Sequence, residues 1–573
     1  MVTIMSLSNE VINIILENVS IKDIENFSST CKKFRQTSWG NKFWMKKLYQ
    51  NWPSIRKFYD RMPSENLEKL DFKEEVKAVA KYTKEIWSSI SQISMDNLGD
   101  LLIIDKKKLI LNFLYRNRQP KNFYIVIDEL RRIILQSPWI SGCDLTQRYY
   151  SCHILRQIKY YHTKHKLLKF RNRNQFHKVL EKMVTLLVLW FNIDNDISYT
   201  HVVKPSLDYV AENVLQILRE EYPSHPIFTI FSVFQNYWKS HNVFYTYWDY
   251  KEILAILIIL ERIVFSPTNF HKLNQIWRKS NGNVSEIVVS EGTQCIFFLT
   301  IYHSVMRRLG IHSTIATSNI LQIFLKSTDV TKRPEYFCVE WRNGQFYVEN
   351  TIRGGDYDRN MLVDHILLTK NNHYSVLKVV PLLIDFLKLE SNLKKKEQVM
   401  LQQIMEREEE EITDLVMWES NVNIKKSQPE KRSARLKFII GMVVNHAYNN
   451  YSRIHFGVIV GWHNYFNLDS VSGIEFNILP DNYSNISCGN VVNCTDYMCL
   501  MHKPYYIILC NNNEYCYVPQ ESISMCSSTK WIHHDEIGRY FSKYKYTYYV
   551  PNKMLARDYP YDAAIINEIM RNQ

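Results

Sequence analysis

Cys295 stands where a thiol becomes reactive. It follows Glu291-Gly292-Thr293-Gln294 and opens the apolar run Ile296-Phe297-Phe298-Leu299, which leads on to Arg307-Arg308-Leu309-Gly310. A glycine-bearing turn, a cysteine and a helix in that order put the thiol at a helix N-terminus, where its pKa falls and it becomes a nucleophile. Such a thiol needs a base to take its proton. His303 falls two turns along the same helix and His312 beyond its end, so neither is well placed. A second candidate is Cys494-x4-Cys499-x2-His502, which offers three ligands, whereas structural zinc takes four and usually uses Cys-x2–4-Cys pairs. On that ground no metal and no cofactor are expected. A third is charge. Residues 151–178 carry eight basic side chains and no acidic one, with Tyr160, Tyr161, His162, His165, Phe170 and His177 among them. Aromatics between basic residues grip acidic ligands such as nucleic acid. The same pattern fits a helix with a solvated polar face.

The elements that must position Cys295 are mostly helices. Residues 183–191 and 253–260 are apolar almost all round, as buried central helices are. From Ser206 through Leu215 and Leu218 the spacing predicts an amphipathic helix. Two short β-like runs, 335–341 and 345–349, are joined by Asn343-Gly344, a hairpin turn, and end in Ile352-Arg353-Gly354-Gly355. Residues 65–390 therefore read as a helical domain interrupted by a strand-rich patch. Residues 394–432 begin as a very polar helix with the acidic run Glu408 to Glu411 and end as a Lys/Ser/Pro/Glu linker. Beyond, residues 436–562 alternate short β-rich runs with Asn-rich turns, as a compact β domain does.

Residues 1–60 form a separate helical unit. Ser8 caps a first helix on which Val11, Ile14, Ile15 and Val19 recur on one side, and Ser20 with Asp23 approximates a capping box for a second. Ile24 and Phe27 are expected to face inward, Cys31 and Phe34 to anchor a third helix, and Phe43, Trp44 and Leu48 to close the unit. So short a segment cannot bury all its apolar side chains internally. Leu7, Ile14, Ile15, Ile21, Ile24, Cys31 and Phe34 are partly surplus, and a helical partner or the rest of the chain must cover them.

The string Leu7-Ser8-Asn9-Glu10-Val11, Val19-Ser20-Ile21-Lys22-Asp23-Ile24, Cys31-Lys32-Lys33-Phe34-Arg35 and Trp44 resembles an F-box. Ser8 stands for the usual Pro, and Val19 and Ile24 for Leu. The resemblance implies docking on the Skp-type adaptor of a cullin–RING ubiquitin ligase (an SCF complex) through Leu7, Ile15, Ile21, Ile24, Cys31 and Phe34. The remainder of the chain would select a protein substrate for ubiquitination and proteasomal degradation.

Within the middle domain, residues 180–370 resemble the transglutaminase-like fold of SirB1 type, whose core is a helix opening with Cys and two strands carrying His and Asp. The corresponding positions here are Cys295, Tyr336 in Pro334-Glu335-Tyr336-Phe337, and Glu349 (or Asn350, if the turn slips by one). A phenol with pKa near 10 is a poor general base. The resemblance thus implies a retired scaffold with degenerate positions rather than a working thiol enzyme, which is the alternative. No catalytic residue is expected.

In the C-terminal region, Val444-Asn445-His446, Gly457-Val458-Ile459-Val460-Gly461-Trp462, Pro504-Tyr505-Tyr506-Ile507-Ile508-Leu509 and Tyr517-Val518-Pro519-Gln520-Glu521 resemble the YccV/HspQ domain, named for proposed hemimethylated-DNA binding. The resemblance implies a small β-barrel. From Lys431 onward 13 basic and 11 acidic residues nearly cancel, which offers a phosphate backbone little. Protein recognition is expected ahead of DNA binding, with Trp462, Tyr505, Tyr506 and Tyr517 as the aromatic candidates.

The composition agrees with several domains. The chain has 573 residues, a 46% apolar fraction and a net charge of +13. That length suits three or four domains and rules out a single small module, and the apolar content excludes a mostly disordered chain. The fold class expected is multidomain: an all-α N-terminal unit, a largely helical α+β middle and a C-terminal β-barrel. The first residues lack the basic flank and continuous apolar run of a signal peptide, and residues 253–260 are too short to span a bilayer. Eleven cysteines, an odd number spread widely, suit a reducing compartment. A soluble protein of cytoplasm or nucleus, with no membrane partner, is expected.

Overall fold

In a computed structural model the described residues are 7–37, 40–95, 120–140, 142–191, 197–230, 232–264, 266, 273, 276, 291–315, 320–324, 336–342, 345–349, 431–447, 454–466, 476–477, 503–511, 513–526 and 530–571. The polar stretch from 394 lies outside them up to residue 430. The chain divides into two units, Met1–Ile158 with Trp418–Gln573, and Lys159–Met417.

Short polar side chains start the N-terminal helices. Ser8 accepts a hydrogen bond from the Val11 amide ahead of α1 (Asn9–Glu17). Ser20 accepts one from the Asp23 amide at 3.2 Å and donates to the Asp23 carboxylate at 2.6 Å, opening α2 (Ile21–Thr30). The chain turns through α3 (Lys32–Thr37) into α4 (Asn41–Asn51), whose Phe43, Trp44 and Leu48 are buried. The α4 helix packs on α5 (Phe72–Met95), and α6 (Pro120–Ile134) packs against both α5 and the turn Pro53–Ile55. A buried carboxylate ties these together: Glu129 on α6 accepts from the indole N–H of Trp52 at 2.5 Å and of Trp87 at 2.9 Å, and pairs with Arg132 at 3.0 Å.

The long helix α7 (Leu145–Arg171) contributes its residues to Ile158 to the first unit and the rest to the second. In the second unit α8 (Leu180–Phe191), α9 (Lys204–Glu221), α10 (Tyr250–Val264) and α11 (Glu291–Arg308) share one core that includes Leu187, Trp190, Leu218, Ile256, Leu260, Val305 and Leu309. This is what all-round apolar runs at 183–191 and 253–260 require. Gly310 ends α11 at φ +78°, with the Ile311 amide returning to the Met306 carbonyl. A β-carbon there would lie 2.8–3.1 Å from the Trp238 ring, so conformation and space both favour glycine. An antiparallel sheet follows, β1 (Ser313–Ile315), β2 (Ile320–Phe324), β3 (Tyr336–Arg342) and β4 (Gln345–Glu349), in that order. Ile315, Leu321, Ile323 and Val339 join the helical core.

Residues 436–566 build their own core around a six-stranded sheet in the order β10-β5-β6-β8-β9-β7. Its strands are β5 (Val443–Ala447), β6 (Ile454–His463), β7 (Phe476–Asn477), β8 (Tyr505–Cys510), β9 (Tyr515–Pro519) and β10 (Ile523–Met525). A hairpin of β11 (Phe541–Lys545) and β12 (Tyr548–Pro551) and the helices α12 (Lys553–Asp558) and α13 (Pro560–Arg571) complete the region. The expected barrel is corrected here. Among the described residues the sheet stays open, because its edges are the three-residue β10 and the two-residue β7, which do not pair with each other. Cys143 and Leu145 from the N-terminal third are buried in the same core, and Thr146 donates to the Phe541 carbonyl at 3.1 Å.

Candidate functional site

Helix α1 is apolar on two faces. Ile12 and Leu16 are buried, while Val11, Ile14 and Ile15 are 41%, 60% and 39% exposed. Leu7, Ile21 and Cys31 are half-buried. Two residues expected on the docking face are not on it. Ile24 is buried against the unit's interior, and Phe34 is buried with its ring stacked on Phe27 at 3.9 Å. They shape the surface from beneath. Sequence reasoning left Val11 out of the docking candidates and Ile12 out of the core, whereas Val11 is exposed and Ile12 buried. The signal was present in the run Val11-Ile12-Asn13-Ile14-Ile15-Leu16, which supplies apolar residues to both sides of one helix. Lys47, itself buried, donates to the Glu17 carbonyl at 2.6 Å and to that of Leu16 at 3.4 Å, closing the C-terminus of α1. Lys33 likewise donates to the Leu7 carbonyl at 3.0 Å.

The would-be thiol site is resolved in backbone. Cys295 lies in the second turn of α11, Tyr336 opens β3 opposite Phe324, and Glu349 ends β4 opposite Cys338. The side chains of these three lie outside the described residues. The neighbouring imidazoles are engaged elsewhere. His303 is buried with Nδ1 3.0 Å from the Ser313 hydroxyl, and burial pushes its pKa down to about 3. His312 has Nδ1 2.7 Å from the Val243 carbonyl, and burial pushes it down to about 4. Both are neutral at pH 7 and far too weakly basic to hold a thiol proton.

The C-terminal end of α11 carries the unit's densest electrostatics. Glu181 on α8 accepts from Arg307 at 2.6 Å, from Arg308 at 3.0 Å and from the Ser304 hydroxyl at 3.0 Å, and Arg308 reaches on to Asp208 at 2.7 Å. Burial pushes the Glu181 carboxyl up, but the two guanidinium groups outweigh it and hold it at about 2. The basic pattern of residues 151–178 falls on α7 and just beyond. Lys166 and Lys169 are exposed there, whereas Lys164 and Lys178 are buried.

The aromatic candidates of the C-terminal region are core, not surface. Trp462, Tyr505, Tyr506 and Tyr517 are each no more than 2% exposed. Trp462 donates its indole N–H to Asp562 at 2.9 Å, and Asp562 also accepts from the Ile440 amide and from Arg432. The Tyr506 hydroxyl accepts from the Phe438 amide at 3.1 Å and pairs with Gln520 at 3.0 Å, while His463 meets the Tyr517 hydroxyl at 2.9 Å. The polar tips of Trp462, Tyr506 and Tyr517 each find a buried partner, and the Tyr505 ring packs on Phe466 and Tyr517. None offers a peptide an exposed anchor. Of possible metal ligands, Cys494, Cys499 and His502 lie outside the described residues. The structure instead gathers His446, Cys510 and Cys516.

Two family models match the chain. Residues 4–46 match the F-box domain. The chain carries an F-box. Its exposed α1 residues and its buried Ile24 and Phe34 lie within that match. Residues 436–548 match the family described as hemimethylated DNA-binding protein YccV like, so a YccV-like region follows. Curated relatives include "F-box only protein 21" of Homo sapiens, Mus musculus and Pongo abelii, each 34% identical over 71 residues. That stretch is 12% of this chain and 11% of each relative. No solved structure matches the chain. No helix among the described residues is long and apolar enough to cross a membrane.

Proposed function

We propose that the chain is a substrate-recognition subunit of an SCF-type ubiquitin ligase. Its F-box docks on a Skp-type adaptor, through which cullin and RING proteins are reached, and the rest of the chain selects a protein for ubiquitination. The observation that carries this reading is the exposed apolar face of α1, Val11, Ile14 and Ile15, within the F-box match. Removing three such side chains from water supplies on the order of 1.5–3 kcal/mol each when burial is complete, which makes an apolar partner the natural cover. The middle unit is read as a non-catalytic transglutaminase-like scaffold. Support comes from His303 and His312, whose Nδ1 atoms lie against the Ser313 hydroxyl and the Val243 carbonyl and whose basicity burial lowers.

The test is a pull-down of the full chain with a Skp-type adaptor, followed by reconstitution with cullin and RING subunits. Ile14→Asp with Ile15→Asp should abolish adaptor capture while the circular dichroism spectrum is unchanged. Undiminished capture by the folded double variant would refute the assignment. The description of the YccV-like family favours a second reading, DNA binding through residues 436–548. The near-balanced charge beyond residue 431 disfavours it. A salt-dependent anisotropy titration with hemimethylated duplex separates the two, since phosphate binding weakens steeply as salt rises.

A further inference from the structure

Three strands of the YccV-like region bring soft ligands to one point. His446 lies in β5, Cys510 ends β8 and Cys516 lies in β9, and their ligand atoms all fall within 4.8 Å of one another. All three side chains are buried, at 1%, 0% and 3% exposure. His446 Nε2 is 3.2 Å from Cys510 Sγ, which is 3.0 Å from Cys516 Sγ.

Register explains how residues so far apart in sequence meet. His446 pairs with His455 on β6, Gly457 two residues on pairs with Cys510 on β8, and Ile508 two residues back pairs with Cys516 on β9. Directly opposed residues share a face, and so do residues two apart, so all of these lie on one face of the sheet. Strand β6 separates His446 from Cys510, and Gly457 is the residue between them. A β-carbon at Gly457 would come within 2.4 Å of the Leu509 carbonyl oxygen and 2.5 Å of the Ile508 side chain. Glycine therefore lets β6 lie close against the Leu509 carbonyl and the Ile508 side chain of β8, between His446 and Cys510.

Two features set this cluster apart. His446 Nδ1 is buried without a hydrogen-bond partner, and two sulfurs sit closer than ordinary non-bonded contact. Cys510 donates its S–H to Cys516. We propose that His446 Nε2, Cys510 Sγ and Cys516 Sγ form a binding site for one thiophilic d10 cation, zinc in the first instance. Two metal–sulfur bonds and one metal–nitrogen bond form, the thiol protons leave to solvent, and the imidazole proton resides on Nδ1. Tetrahedral zinc bonds sulfur at about 2.3 Å and nitrogen at about 2.0 Å, which sets ligands about 3.5–3.8 Å apart. The His446–Cys510 contact would open by about 0.3 Å and the sulfur–sulfur contact by about 0.8 Å. The ion would clamp the β8–β9 hairpin to β5 across β6. A disulfide fits less well, since Cys510 and Cys516 are diagonal rather than opposed.

The full chain, expressed with zinc and dialysed, should retain one zinc ion per chain by elemental analysis. Cobalt(II) added to the apo protein should produce a thiolate-to-metal charge-transfer band. Cys510→Ser with Cys516→Ser should lose the ion and the band, while Cys526→Ser should keep both. If the double variant misfolds, His446→Gln and the effect of a chelator on the wild-type melting temperature decide instead, with loss of the band and a lowered melting temperature expected. A folded wild-type chain without bound ion, equal retention in the double cysteine variant, or a Cys510–Cys516 disulfide found by non-reducing mass spectrometry would each overturn the site.

Discussion

Ile12 and Ile14 are two residues apart on α1, yet one is buried and the other is 60% exposed. Ile12→Asp would bury a charge without a partner, a penalty of several kcal/mol that should melt the F-box helices. Ile14→Asp should leave the melting temperature within error and remove adaptor binding. Thermal melts followed by pull-down distinguish the two. Glu181 shows the converse dependence on company. Its charge is stabilising only because Arg307 and Arg308 surround it. Glu181→Gln would leave the buried Arg307 without a counter-charge and Arg308 with Asp208 alone, and should destabilise the middle unit by about 3–5 kcal/mol, read from urea denaturation.

At the scale of elements, the ends of α11 matter more than its middle. Gly310→Ala forces a side chain into the left-handed region and against the Trp238 ring. A destabilisation of about 1–3 kcal/mol is expected, measurable as a lowered urea midpoint with an unchanged slope. Elements were largely legible before any coordinates. The strands expected at 335–341 and 345–349 appear at Tyr336–Arg342 and Gln345–Glu349, and the Ser20 to Asp23 cap forms. These signals are local: a turn dipeptide, alternating side chains, a hydroxyl three residues before an acid. Closure of the C-terminal sheet was not legible, because it depends on whether edge strands long enough to pair exist.

Across the whole molecule, buried imidazoles set the response to pH. His303 is held at about 3, and His312 and His534 at about 4, each by burial. The unfolded chain takes up protons on them near the ordinary value of 6.5, while the folded chain refuses them. The folded state therefore binds fewer protons, and stability is complete above pH 6.5 and is lost progressively as pH falls toward 4 and 3. Glu181, at about 2 against an ordinary 4.5, adds a further loss below pH 4.5. Melting temperatures from pH 8 to pH 4 should fall monotonically. A rise on acidification would contradict the burial of these histidines. Both units should respond, since His534 lies in one and His303 and His312 in the other.

Residue order alone determined the F-box string, the hairpin at Asn343-Gly344, the helical character of the middle and the β-rich character beyond residue 436, since caps, turns and periodicity act over a few neighbours. Exposure belongs to tertiary structure. Trp462, Tyr505, Tyr506 and Tyr517 have the composition of a recognition surface, but hydrogen bonds with Asp562, Gln520 and His463 hold three of their polar groups, the indole N–H and the Tyr506 and Tyr517 hydroxyls, in the core. Ile24 and Phe34 match the docking motif, yet they support its surface from within. His446, Cys510 and Cys516 have no shared spacing that names them. Only the register of β5, β6, β8 and β9, with a glycine in the gap, places three ligands from distant parts of the chain at one buried point.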